Sequence, residues 1–164
     1  NADIEVSNLY KKDKFLFEKV KKKFPNKVGN FPLKKENLLK IILQKHKNLK
    51  VLSKIIHPIV RKKMEKFLKI NRKKKFVVLD VPLFLENKLN KKKDIIIFVE
   101  ADKKKITQKL YKRKNINPKL INILRKNQLP KRLKKKKSTY VIKNNFISNT
   151  AKKNVKLILK KISE

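Results

Sequence analysis

Carboxylates beside expected turns are the first residues in this sequence that could do chemistry. Asp3 stands where a short segment is expected to pass from strand to helix. Asp80 and Glu86 flank the stretch 82–84, which begins with proline. In a crevice, a carboxylate can accept a proton from a substrate hydroxyl, and such a loop can shape a substrate pocket. The structural alternative is that the aspartates cap helices and that Glu86 is an exposed turn carboxylate.

A histidine–proline pair, His57–Pro58, is the second candidate. It is either part of the same crevice or an ordinary histidine at the start of a helix that Pro58 opens, since proline is well placed in a first turn. The other histidine, His46, lies in a polar stretch. Two histidines without a nearby acidic cluster predict no metal site. The sequence has no cysteine, which excludes disulfides and thiolate chemistry.

Basic residues on two expected helices, 103–114 and 118–127, form the third candidate. Lys109 and Arg113 lie on the first of them. Such a face is usually only solvated. The functional alternative is a lid whose guanidinium groups stabilise the charge on a transferring phosphoryl group.

The elements that must position these residues alternate between strand and helix. Continuous apolar runs predict buried strands at 76–81 and 94–99, and a third strand is predicted at 140–142. Helical periodicity is found at 6–24, in two short helices within 35–56, after Pro58 and at 150–162, while 134–137 is expected to be a charged connector. The alternation predicts an α/β fold with a parallel sheet. In such sheets, ligands bind at the carboxyl ends of the strands.

The net charge of +38 comes from 50 basic and 12 acidic residues. It predicts salt-sensitive attraction to polyanions, and one hypothesis is a nucleic-acid-binding protein. However, only five of the basic residues are arginine, and the chain contains a single glycine. Dedicated nucleic-acid binders more often use arginine. We therefore attribute most of the charge to compositional drift and expect no specific nucleic-acid partner. The sequence has no run of about 18 apolar residues, so no membrane association is expected, and the lack of cysteine fits a cytoplasmic location.

Several segments, taken in order, resemble those of dephospho-CoA kinases over almost the whole chain. The segment NADIEVSNLY is similar to the family's Asp-Ala-Asp segment, with Asn1 in place of the first aspartate. The other similar segments are KIIHPIVRKKM, VVLDVPLFLEN, QKLYKRKN, QLP at 128–130 and YVIKNN.

The resemblance implies a P-loop kinase-like fold with a parallel sheet, a helical substrate subdomain and a lid. It implies one domain over 1–164, with an acceptor-binding subdomain near 6–72, a core at 76–102 and 138–164, and a lid at 106–137. It implies that ATP, with Mg²⁺, phosphorylates the ribose 3′-hydroxyl of dephospho-CoA in the last step of coenzyme A biosynthesis.

The resemblance also implies roles for individual residues. Asp3 matches the base for the 3′-hydroxyl, and Arg113 matches a lid arginine on the ATP phosphates. The acceptor-side residues are His57, Pro82, Leu83, Phe84 and Glu86. The nucleotide-side residues are Lys109, Asn144 and Asn145.

One part of the family pattern is absent from these 164 residues. The phosphate-binding loop GxxxxGK[ST] cannot be present, because Gly29 is the only glycine. We expect the first strand and this loop to be encoded upstream of Asn1, and the chain as given to be inactive. A degenerate kinase kept for binding is the remaining alternative.

Overall fold

The computed structural model of the chain describes residues 1–113 and 117–164. Within these residues the chain forms eight helices and two strands. They belong to two compact units, Asn1–Pro82 with Lys119–Ile123, and Leu83–Pro118 with Leu124–Glu164. The subdomain boundaries expected from the sequence stay a prediction. No helix in the described part of the chain is both long and apolar enough to cross a membrane.

The first unit is built on four helices, α1 (Ala2–Lys12), α2 (Lys14–Lys23), α3 (Lys35–Gln44) and α4 (Lys47–Ile70). The single helix predicted over 6–24 is therefore divided in two. The division is at Asp13, whose carboxylate accepts a hydrogen bond from the backbone N–H of Leu16 at 2.8 Å and caps α2. Residues 1–5 were expected to pass from the end of a strand into a helix; the strand end is wrong, because α1 begins at Ala2.

Helix α4 corrects the prediction that Pro58 opens a helix, because Pro58 lies in its interior. An interior proline leaves one ladder hydrogen bond unmade. Apolar contacts keep the two halves in one helix: Leu52 and Ile56 are buried, and Ile59 and Val60 pack against the same core. Tertiary packing here overrides a local helix-breaking preference.

The core of the first unit is a single apolar cluster drawn from α1 to α4 and the loop between α2 and α3. Its buried members are Leu9, Leu16, Phe17, Val20, Phe24, Val28, Leu33, Leu38, Ile41, Leu52 and Ile56. Two asparagine side chains fasten the loops around it: Asn37 donates to the carbonyl of Val28, and Asn48 donates to that of Ile41 at 2.8 Å.

The second unit contains the sheet. Strands β1 (Ile97–Ala101) and β2 (Tyr140–Asn144) are parallel, with Ile97 opposite Tyr140. This confirms the parallel α/β architecture, although β1 starts three residues later than expected. Strand β1 was expected to be buried, because its sequence is a continuous apolar run. Within the two strands only Ile142 is buried, while Ile97 and Val99 are exposed. Helix α8 (Ser148–Ser163) packs on β2 and contributes the buried Ile158.

The strand predicted at 76–81 is wrong, since these residues form no strand. The apolar pattern is present, but a strand also requires a ladder partner, and within the described residues the sheet consists of β1 and β2 alone. Val78 is 83% exposed. One backbone contact fixes the end of the stretch: the carbonyl of Asp80 accepts from the N–H of Ala2 at 2.8 Å.

Three further helices follow β1: α5 (Lys103–Tyr111), α6 (Pro118–Lys126) and α7 (Lys131–Lys136). The first two confirm that basic helices begin at 103 and 118 as predicted, although α5 ends at Tyr111 and α6 at Lys126. Residue 114 of the predicted range 103–114 lies outside the described residues. Asp102 caps α5 by accepting from the N–H of Lys105 at 2.9 Å. Helix α7 corrects the expectation of a charged connector at 134–137.

The buried cluster predicts a large difference between two isoleucine positions. Ile41 is 0% exposed, and Ile4 is 61% exposed. Ile41→Ala should lower the free energy of unfolding by about 2–5 kcal/mol, because it removes buried methyl groups and leaves a cavity. Ile4→Ala is the matched control and should cost within about 0.5 kcal/mol. Urea denaturation followed by circular dichroism measures both; equal losses would contradict the assigned core.

Candidate active site

The first turn of α1 presents Asp3 as an exposed carboxylate. The helix cap is Asn1, whose side-chain Oδ1 accepts from the N–H of Asp3 at 2.9 Å and from that of Ile4 at 3.2 Å. The alternative that Asp3 is itself the cap is therefore wrong. Asp3 lies in the first turn of α1, at the positive end of the helix dipole.

Tyr10 is a neighbour of this carboxylate that the sequence interpretation missed. The pKa of Tyr10 is raised, mainly because the ring is buried and also because of the charge of Asp3. The signal was present in the sequence, since residues seven positions apart share a helix face. The phenol stays protonated at neutral pH, so its hydroxyl can donate a hydrogen bond towards an acidic or substrate oxygen.

His57 lies on α4 and is half-buried. Burial lowers its pKa below the ordinary 6.5, and the positive charge of Arg61 lowers it further. The imidazole is therefore neutral at pH 7 and offers one donor and one acceptor nitrogen. Helices α1 and α4, which carry Asp3 and His57, belong to the same unit and are joined by an ion pair between Glu5 and Lys63 at 3.1 Å.

The loop that follows Pro82 is a compact turn. Leu83 has a left-handed backbone (φ 56°), which is unfavourable for a bulky residue. Its carbonyl accepts from both the backbone N–H and the side-chain amide of Asn87, each at 2.9 Å. These bonds stabilise the strained conformation. Leu83 and Phe84 are half-buried, whereas Pro82 is exposed.

Glu86 contacts protein groups in this structure. Its Oε1 accepts from the N–H of Leu129 at 3.0 Å and lies 3.5 Å from Nζ of Lys134, and its side chain is only 11% exposed. It thus joins the turn at 82–89 to the segment that leads into α7. Its role in substrate binding stays a prediction.

Glu100 on β1 is a second anchor for α7, and the sequence interpretation did not single it out. Its two carboxylate oxygens lie 3.0 Å from Nζ of Lys131 and 3.1 Å from Nζ of Lys135. Hydrogen bonds from these two lysines lower its pKa below the ordinary 4.5. The spacing of the lysines, one helical turn apart, places both on one face of α7.

The three residues predicted on the nucleotide side meet around Phe146. Nζ of Lys109 lies 4.9 Å from the centre of the Phe146 ring, a cation–π contact. Oδ1 of Asn144 accepts from the N–H of Phe146 at 2.8 Å, and Oδ1 of Asn145 accepts from the N–H of Ile147 at 3.0 Å. The asparagines therefore shape the turn between β2 and α8, and Phe146 is a member of this group that the sequence interpretation missed.

Arg113 is exposed just beyond α5, and its N–H donates to the carbonyl of Leu110 at 3.1 Å. It belongs to the second unit, as do Leu83, Phe84, Glu86 and the residues around Phe146, whereas Asp3, His57 and Pro82 belong to the first.

A protein-held metal does not fit the residues described. No group of three histidine, aspartate or glutamate side chains converges anywhere in 1–113 or 117–164. A magnesium ion bound mainly by nucleotide phosphates and water would need no such group.

Comparison with known proteins agrees with the sequence resemblance. A family model described as dephospho-CoA kinase matches residues 1–150. A dephospho-CoA kinase of Wolbachia pipientis wMel is 35% identical over 144 residues, which cover 87% of this chain and 73% of that protein. One from Bartonella quintana is 33% identical over 144 residues, with the same coverage.

Solved structures show the same fold. A crystal structure from Thermus thermophilus matches with a TM-score of 0.70 at 21% identity, covering 90% of this chain and 77% of that one. A dephospho-CoA kinase from Campylobacter jejuni matches with a TM-score of 0.59 at 19% identity, covering 98% and 82%.

The lowered pKa of His57 predicts that stability falls in mild acid. Unfolding restores the ordinary pKa of 6.5, so below that pH the unfolded state binds a proton that the folded state resists. The contribution of neutral His57 to the free energy of unfolding is therefore complete above pH 6.5. It decreases as the pH falls from there towards the folded-state pKa. Between pH 7.5 and 5, the urea midpoint of unfolding should decline less in His57→Gln than in the native sequence.

His46→Gln is the control for that series, because His46 is exposed and its removal leaves the burial of His57 untouched. It should keep the decline seen in the native sequence. A His57→Gln curve parallel to the native one would contradict the assignment.

The two anchors of α7 predict a local loss of order when either carboxylate is neutralised. Glu86→Gln and Glu100→Gln should each raise amide hydrogen exchange across 131–137 by about fivefold, because an ion-paired carboxylate is lost. The contribution of Glu100 is present above its ordinary pKa of 4.5 and is lost as the pH falls through its lower folded-state value. Hydrogen exchange read by mass spectrometry measures this.

Glu18→Gln changes the net charge equally at an exposed position in the first unit. It should leave exchange in 131–137 unchanged. An equal effect from Glu18→Gln would show a general charge effect instead of two specific anchors.

Proposed function

Because the chain belongs to the dephospho-CoA kinase family, we propose that its protein transfers the γ-phosphoryl group of ATP to the ribose 3′-hydroxyl of dephospho-CoA. The protein is thus a phosphotransferase. The observation that carries the proposal is the family match over residues 1–150, within which all the predicted site residues lie. The parallel sheet and the matching solved structures support the fold.

On the acceptor side, we assign Asp3 to the 3′-hydroxyl. The hydroxyl oxygen forms a bond to the γ-phosphorus while the bond from that phosphorus to the bridging oxygen of ADP breaks. The hydroxyl proton passes to the Asp3 carboxylate. Support comes from its position in the first turn of α1, where its carboxylate is exposed. His57, kept neutral by burial, is assigned to hydrogen bonding with the acceptor.

The turn after Pro82 is assigned to the wall that holds dephospho-CoA. The unfavourable backbone of Leu83 supports this, because strained conformations tend to persist at ligand-binding loops. The side chains of Leu83 and Phe84 offer the apolar part of that wall. Glu86 contributes through its anchoring of the segment that leads into α7.

On the donor side, we assign Arg113 to the phosphates and the group around Phe146 to the nucleotide. The planar guanidinium suits bidentate contact with phosphoryl oxygens. Lys109, Asn144 and Asn145 already converge on one turn. A magnesium ion that accompanies ATP would neutralise part of the phosphate charge during transfer.

Residues 1–164 alone contain no GxxxxGK[ST] loop, and we propose that on their own they give no turnover. That loop supplies the backbone N–H groups and the lysine that hold the β- and γ-phosphates. The activity is therefore to be tested on the complete gene product. The cytoplasmic location and the lack of a specific nucleic-acid partner stay predictions.

We predict that Asp3→Asn lowers kcat by about 10²–10⁴, because a general base is lost while the side chain keeps its shape. The complete gene product is incubated with ATP, Mg²⁺ and dephospho-CoA, and coenzyme A is measured by chromatography. Asp13→Asn is the matched control. It makes the same change at the cap of α2, where asparagine is an equally good cap, so its rate should be native.

Two outcomes would contradict these assignments in different ways. If the native protein forms no coenzyme A, the proposed function is wrong and the degenerate-kinase alternative gains support. If the native protein is active and Asp3→Asn is equally fast, the function stands and Asp3 is not the base.

A further inference from the structure

Asp80 makes two hydrogen bonds to the beginning of α1. Its carboxylate Oδ2 accepts from Nδ2 of Asn1 at 2.5 Å, and its backbone carbonyl accepts from the N–H of Ala2 at 2.8 Å. Asn1 and Asp80 are 79 positions apart in the sequence. One residue of the stretch 76–81 therefore holds two consecutive residues at the entry to the helix.

The bond to Asn1 determines which way the capping amide faces. A carboxylate can only accept hydrogen bonds, so the nitrogen of the Asn1 amide must face Asp80. The amide oxygen is then directed to the other side, where it accepts from the N–H groups of Asp3 and Ile4 at 2.9 and 3.2 Å. The planar amide transmits the position of Asp80 to the first turn of α1.

We propose that Asp80 is a positioning residue for Asp3 and acts through Asn1. This inference depends on the proposed function, in which Asp3 is the base. The first turn of a helix tends to fray, and a base must lie within hydrogen-bond reach of the proton that it accepts. A misplacement of about 1 Å can cost about 10²-fold in rate. Asp80 holds Asn1, and the side-chain oxygen of Asn1 accepts from the backbone N–H of Asp3.

A purely structural role makes a different prediction for the same residue. If Asp80 only fastens 76–81 to α1, its loss lowers stability and leaves the turnover of folded protein intact. If it positions Asp3, its loss lowers kcat and spares the KM values, because neither substrate contacts Asp80 in the proposal. The two roles are separated by kinetics on folded protein.

The experiment measures kcat and both KM values for the complete gene product carrying Asp80→Ala or Asp80→Asn. Asp80→Ala should lower kcat by about 10- to 100-fold with KM values within about twofold. Asp80→Asn should restore most of the rate, because its side-chain oxygen still accepts from the Asn1 amide. Asp80→Ala combined with Asp3→Asn should be no slower than Asp3→Asn alone, since Asp80 acts through Asp3.

Asp13→Ala is the stability control, because it removes the side-chain cap of another helix, α2. Its kcat should stay native. Exchange of the Asp3 and Ile4 amides, followed by nuclear magnetic resonance, should accelerate in Asp80→Ala and not in Asp13→Ala.

Three results would overturn the inference. One is a native kcat in Asp80→Ala, and another is a double variant in which the two losses multiply. The third is a native protein that forms no coenzyme A, which overturns the proposed function as well. An active native protein with an unaffected Asp80→Ala variant overturns the positioning role alone.

Discussion

The scarcity of negative charge is the constraint on which this structure depends. With 50 basic and 12 acidic residues, the folded chain must bring many like charges together, and mutual repulsion opposes any compact state. The few carboxylates are used at junctions between structural elements. Asp13 and Asp102 cap helices, Glu5 joins α1 to α4, and Glu86 and Glu100 hold α7. Each contact satisfies an exposed helix end or neutralises a lysine that would otherwise repel its neighbours.

The two units meet this constraint differently. The first unit has an apolar cluster to which α1 to α4 all contribute, and its lysines lie on the outer helix faces. In the second unit Ile142 and Ile158 are buried, while several apolar residues of the sheet are exposed. A six-residue helix with lysine or arginine at five positions has little stability of its own, since like charges one turn apart repel. The order of α7 thus rests on Glu86 and Glu100, and that order is sensitive to salt and acid.

The sequence allowed prediction wherever local pattern decides the structure. The apolar run before Ala101 and the run at 140–142 predicted two parallel strands, and periodicity predicted most of the helices. The local pattern gave wrong predictions where groups distant in the sequence decide the structure. Residues 76–81 have the composition of a strand, but no ladder partner lies beside them among the residues described. Pro58 was expected to open a helix, and packing on both sides of it keeps α4 continuous. Helix α7 has no apolar periodicity, because its partners are carboxylates remote in sequence.

The candidate site shows the same limit at the level of single residues. Family resemblance could name Asp3, but it could not show that Asn1 is the cap and that Asp80 orients that cap. An aspartate in place of Asn1 could still cap the helix, but it would face Asp80 with a second carboxylate and would lose the donor that this contact uses. The pairing of Asn1 with Asp80 is therefore chemically specific: one side chain must donate and the other must accept. Asn1 looks like a small departure from the family segment, but it fits Asp80, a partner far along the chain. The two residues therefore have to be interpreted together.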